Sequence, residues 1–110
     1  MFGYEIADPA EAVNVYDLVN LQEKEEMFHI ACDVWFTSTG MPMPRNFMFE
    51  GRDGNRHKVI VDKVFQTDEK NYSGIRSFEY LCQAIIGGLL HKFKLVFFCE
   101  ACKWVLLVKG

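Results

Sequence analysis

The chain has 110 residues, half of them apolar and a quarter charged, with a net charge of −3. This is the composition of a single globular domain with one modest core, and not that of a disordered chain. No apolar run is long enough to span a membrane as a helix, and the start MFGYEIADPAE lacks the basic and apolar regions of a secretory leader; the expected compartment is the cytoplasm, with the four cysteines reduced.

The charge is unevenly spread. Residues 1–26 hold seven acids (Glu5, Asp8, Glu11, Asp17, Glu23, Glu25, Glu26) and one base (Lys24), a net of −6. Residues 27–110 hold eight acids and eleven bases, a net of +3. The plain reading is a solvated acidic helix beside a neutral-to-basic body. The sharper one is an acidic arm that shields a weakly basic surface from nucleic acid. No repeat, low-complexity tract or Gly/Ser linker divides the chain. Residues 1–110 therefore read as one domain, with an acidic N-terminal helical segment (1–26) and a β body (27–110).

The segment DPAEAVNVYDLVNL, residues 8–21, opens with helix-start chemistry. Asp8 can cap, Pro9 suits the first helical position, and Glu11 follows three residues after the cap. Ala12, Val15, Leu18 and Val19 then share one side. Residues 27–38 alternate instead: Phe28, Ile30, Cys32, Val34 and Phe36 point one way, and His29, Ala31, Asp33, Trp35 and Thr37 the other. Period 2 with aromatic and β-branched residues is a half-buried strand. Thr39–Pro44 carries two prolines, which lack the ladder donor, and reads as a loop.

Residues 46–50 and 57–65 read as paired strands around the turn-rich run from Gly51 to Arg56. A three-residue turn, Asp53-Gly54-Asn55, sets Phe47 opposite Val61 and Phe49 opposite Val59, apolar against apolar. A two-residue turn would place Phe49 opposite Lys58. Residues 66–77 are polar and turn-rich, and read as the longest loop. Residues 78–93 are ambiguous: eight apolar residues fit a helical face, but Gly87 and Gly88 would cost on the order of 1 kcal/mol each inside a helix. The hairpin reading turns at Gly87-Gly88, with Ile86 facing Leu89, Ala84 facing His91, Cys82 facing Phe93 and Tyr80 facing Leu95. Residues 93–98 and 103–109 close the chain as two strands around Cys99–Cys102, and the lysines bracketing the last strand suit an exposed edge.

The fold expected is mainly β: an antiparallel meander of about six strands forming a small barrel or bent sheet, with the N-terminal helix on an open end. The alternative is α+β, with residues 77–92 helical.

Chemistry is sparse. Cys99-x-x-Cys102 at a hairpin tip offers two thiolates to zinc, but a structural site needs two further ligands. The candidates are Cys32, Cys82, His29, His57 and His91, and none forms a second close pair. Cys32 and Cys82 lie on apolar strand faces, where cysteine packs as a small hydrophobe. Nothing in the spacing ties a histidine to a thiol, and no glycine-rich phosphate loop or calcium loop is present. No catalytic, cofactor-binding or metal-ligating residue is therefore assigned, and no cofactor is expected. Trp35, Phe49, Arg45, Arg52, Arg56 and Lys58 would bind nucleic acid if they shared one face. Leu89-Leu90 and Val105–Val108 are apolar on both sides, which calls for cover by the helix, a second copy or a partner. The expected function is a non-enzymatic structural or interaction module with a protein partner or self-association, and no membrane. The alternatives are a zinc-stabilised module using Cys99 and Cys102, and a small nucleic-acid-binding barrel.

Overall fold

Alternating apolar and polar residues, punctuated by glycine turns, fold into a single antiparallel sheet. The computed structural model describes residues 25–51 and 54–109. Its strands are β1 (Glu25–Phe36), β2 (Pro42–Glu50), β3 (Arg56–Ile60), β4 (Lys63–Tyr72), β5 (Ile75–Ile86), β6 (Leu89–Phe98) and β7 (Lys103–Lys109). The spatial order is β3-β2-β1-β7-β6-β5-β4. Two meanders, β1–β3 and β4–β7, are thus joined where the first strand pairs with the last. The proposed helix at 8–21 lies outside the described residues.

The sheet curls into a half-barrel rather than a closed barrel. Its bend is fixed at the link between the two meanders. The Asp62 N–H donates to the Gln83 carbonyl at 2.8 Å, and the Gln83 side-chain amide donates to the Asp62 carboxylate at 3.1 Å. These bonds carry the chain from edge strand β3 round to β5.

The stretch 39–44, expected as a loop, instead begins β2. Thr37 N–H donates to the Met41 carbonyl at 2.9 Å, closing the turn around Gly40 at φ 84°. With Met41 facing β1, strand alternation turns the backbone nitrogens of Pro42 and Pro44 away from it. β3 pairs only from Asn46 onward on that side, so neither proline deprives a neighbour of a donor.

The run 57–65, expected as one strand, is split by Val61-Asp62 between β3 and β4. The β2–β3 register also differs from both expectations. Gly51 N–H donates to Asn55 and Gly54 N–H to Gly51, with Gly54 at φ 80°. Gly54 rather than Asn55 takes the left-handed position, which shifts the pairing to Phe47 opposite Val59 and Phe49 opposite His57.

The expected loop at 66–77 is instead part of the β4–β5 hairpin, which turns at Ser73 and Gly74 with φ 54° and 83°. Positive φ at both positions gives the primed turn that matches strand twist. Gly74 N–H also donates to the Asn71 side chain at 3.0 Å. β4 is polar because it is an edge strand, where charge discourages further pairing. Residues 77–92 are not helical: β5 and β6 form the hairpin with the four expected pairs, and Gly87 and Gly88 have φ 59° and 79°. β7 is not an edge; it lies between β1 and β6.

The concave core contains Phe47, Val59, Phe78, Tyr80, Cys82, Ala84, Phe93, Leu95, Trp104 and Leu106. Trp104 lies against Phe97 and Tyr80, with ring centroids 4.9 and 5.4 Å away. The Tyr80 hydroxyl donates to the Pro42 carbonyl, tying the β1–β2 hairpin over the core. The β7 residues are buried on both faces: Leu106 enters this core, while Val105 and Leu107 join Val96 and Phe98 in a second cluster on the outer side.

Candidate functional site

The cysteines occupy chemically different places. Cys82 is buried in the core and Cys32 is partly buried beside it. Burial pushes both thiols up to about 12, with the charges of Asp33 and Cys82 adding to the effect on Cys32. A thiol held neutral is a poor nucleophile and a poor metal ligand. Cys99 and Cys102 sit on the β6–β7 turn, where Cys102 is exposed at φ 53° and its thiol faces the Cys99 carbonyl at 3.5 Å. Burial also raises the Cys99 thiol.

The three histidines stand on three different strands. His29 is on β1, His57 on β3 against the Phe49 ring at 5.3 Å, and His91 on β6 opposite Ala84. Among the described residues, no group of three or more His, Cys, Asp or Glu side chains is placed to hold a metal ion. An open depression of about 390 Å³ gathers His29, Cys32, Cys102, Lys103 and Trp104 where β1 and β7 part.

The aromatic and basic residues considered for nucleic acid are divided between faces. Phe49 turns inward, 5.8 Å from Phe28 and 6.2 Å from Phe47. Lys58 and Arg56, one residue to either side of its partner His57, fall opposite Met48 and Glu50 on the other face. Trp35 is exposed at the far end of β1, and Arg52 lies outside the described residues.

The two apolar strips have opposite fates. Val105, Leu106 and Leu107 are buried, but Leu89-Leu90 is exposed at the tip of the β5–β6 hairpin. β4 pairs with β5 only as far as Gln83, and β7 pairs with β6 only as far as Lys94. The pairs Ile85–Leu90 and Ile86–Leu89 therefore project as a two-stranded ribbon beyond Ala84–His91. Ile85, Leu89 and Leu90 are 65, 67 and 57 % exposed there.

A feature missed in the sequence adjoins this tip. β4 bulges between Val64 and Gln66, so Phe65 leaves the ladder. Lys63 and Lys92 hold their ammonium groups 4.9 and 5.2 Å from the centre of its ring. Lys92 and Gln83 pair next to Ala84–His91, so the cations flank the apolar ribbon. The sequence shows only Lys-Val-Phe; the bulge that brings Phe65 to a lysine on another strand has no local signature.

The resulting site is an aliphatic knob with a basic collar. It contains no nucleophile–base pair. In the comparisons with known proteins, no family model matches the chain, and no similar curated protein or solved structure is found.

Proposed function

We propose that this protein is a non-enzymatic interaction module that docks a partner protein through the β5–β6 hairpin tip. The reading takes residues 1–110 as one domain with residues 8–21 helical. The observation that carries it is the exposure of Ile85, Leu89 and Leu90 on a ribbon that overhangs its neighbours. A chain gains nothing in stability by holding three aliphatic side chains in water, whereas a partner's apolar groove would bury them.

The size of the knob selects the kind of partner. Three such side chains present on the order of 300 Å², well short of the ~800 Å² per partner of a stable interface. Tip-to-tip contact between two copies is too small to hold a dimer. A different protein with a groove around the knob gains further area from Phe65 and the flanking strands. Lys63 and Lys92 favour an acidic rim on that groove.

The test is proximity labelling in the cells that make the protein, comparing wild type with Leu89→Glu/Leu90→Glu and with the control Ile60→Glu, an equally exposed site on edge strand β3. The reading predicts partners lost by the tip variant and kept by the control. Identical sets for all three proteins would reject it.

A further inference from the structure

One part of the outer face of the sheet is shielded from water. Val96 and Val105 are each 1 % exposed, Phe98 and Ser77 3 %, and Leu107 4 %. Val96 pairs with Val105, while Leu95 pairs with Leu106 in the concave core, so this cluster lies on the opposite side. Met27, Ile75 and Ala101 pack at its border. A sheet face becomes this dry only when another layer lies on it. Every described strand belongs to the one sheet, so no described element supplies that layer.

We propose that the chain's own N-terminal segment, residues 8–21, docks on this face as an amphipathic helix crossing β5, β6, β7 and β1. This docking shares with the hairpin-tip reading only the helical form of residues 8–21 and does not depend on what the tip binds. The burial belongs to a single chain, which selects an intramolecular cover over a second copy. Outside the described residues, only 1–24 is long enough to provide it. That segment enters the sheet beside the cluster, since Glu25 opens β1 opposite Lys109 and Met27 lies opposite Leu107. The few residues between 21 and 25 reach about 13 Å, enough to fold back onto the face.

Length, pattern and charge agree. A helix over residues 8–21 is about 21 Å long, and four strands spaced by ~4.8 Å are about 15 Å across. Ala12, Val15, Leu18 and Val19 form its apolar side, matching the apolar cluster of Val96, Phe98, Val105 and Leu107 on the face. Residues 8–21 carry three acids, Asp8, Glu11 and Asp17, and no base. On the sheet, Lys94, Lys103 and Lys70 flank the cluster, opposite Leu107, Phe98 and Ser77. Acids also stand on that face: Glu79 opposite Val96, Asp68 opposite Glu79, and, farther along the sheet, Asp33 on β1 and Glu50 on β2.

The test is a methyl NOE spectrum of the full chain. Cross-peaks from the methyls of Val15, Leu18 and Val19 to those of Val96, Val105 and Leu107 are expected. They should persist on dilution and be absent from an isotope-filtered spectrum of mixed labelled and unlabelled chains. Absence of these cross-peaks overturns the proposal. Cross-peaks that appear in the filtered spectrum overturn it equally, because they place the segment of a second copy on the face.

Discussion

Replacing Tyr80 with Phe tests how the half-barrel is held together. Tyr80 is fully buried, and its hydroxyl donates to the carbonyl of Pro42, 38 residues away in sequence. The substitution keeps the ring against Trp104 and removes only the donor. The buried Pro42 carbonyl then lacks this partner on the side away from β1. Losing the bond and stranding the acceptor costs about 2 kcal/mol. For a domain of this size that lowers Tm by roughly 8–16 °C. Urea denaturation followed by tryptophan fluorescence measures the loss, with the m-value unchanged if the fold is retained. Tyr80→Ala, which also removes the ring, should cost more, about 3–5 kcal/mol. A loss below about 0.5 kcal/mol for Tyr80→Phe would refute the argument that this bond secures the β1–β2 hairpin over the core.

Three further outcomes follow from the same structure. Leu89→Glu/Leu90→Glu should change stability by less than about 0.5 kcal/mol, because the side chains are mainly in water; a larger loss in urea titration would mean that the tip is part of the core. Gly88→Ala should cost on the order of 1 kcal/mol, since φ is 79° there although the space around it is open. Stability should fall as pH rises from 9 towards 12, because burial raises the folded-state values of Cys32 and Cys82 above their ordinary 9.0. Below pH 9 both thiols are protonated whether folded or unfolded, and their neutral burial costs nothing extra. Above it the unfolded chain loses protons first, at about 1.4 kcal/mol per pH unit for each thiol. Cys82→Ala should flatten that slope in denaturation curves taken across the range; an unchanged slope would exclude Cys82 as a contributor.

What the sequence shows clearly is local. The alternation of residues 27–38 marks β1, and Gly87-Gly88 marks a hairpin whose register follows from pairing apolar residues across it. What it hides depends on neighbours distant in sequence. β4 reads as a loop because an edge strand in water needs no apolar alternation. Pro42 and Pro44 read as breakers because only the sheet order shows that their nitrogens face an unpaired side. The lysines around β7 suggest an edge, yet the strand is central, since its pairing with β1 joins the first and last described strands. At the site, Leu89 and Leu90 stand out as an apolar strip in the sequence. Phe65 and its two lysines do not, because a bulge and a contact across β5 create that cluster.

The most direct test of the interaction account is quantitative cross-linking mass spectrometry on the protein in the cells that make it, reading out which lysines join to other proteins. The account predicts heterologous cross-links concentrated at Lys63 and Lys92 beside the hairpin tip, and their loss in Leu89→Glu/Leu90→Glu while Ile60→Glu retains them. Cross-links at those lysines that survive the tip substitutions, or heterologous cross-links confined to other lysines, would contradict it.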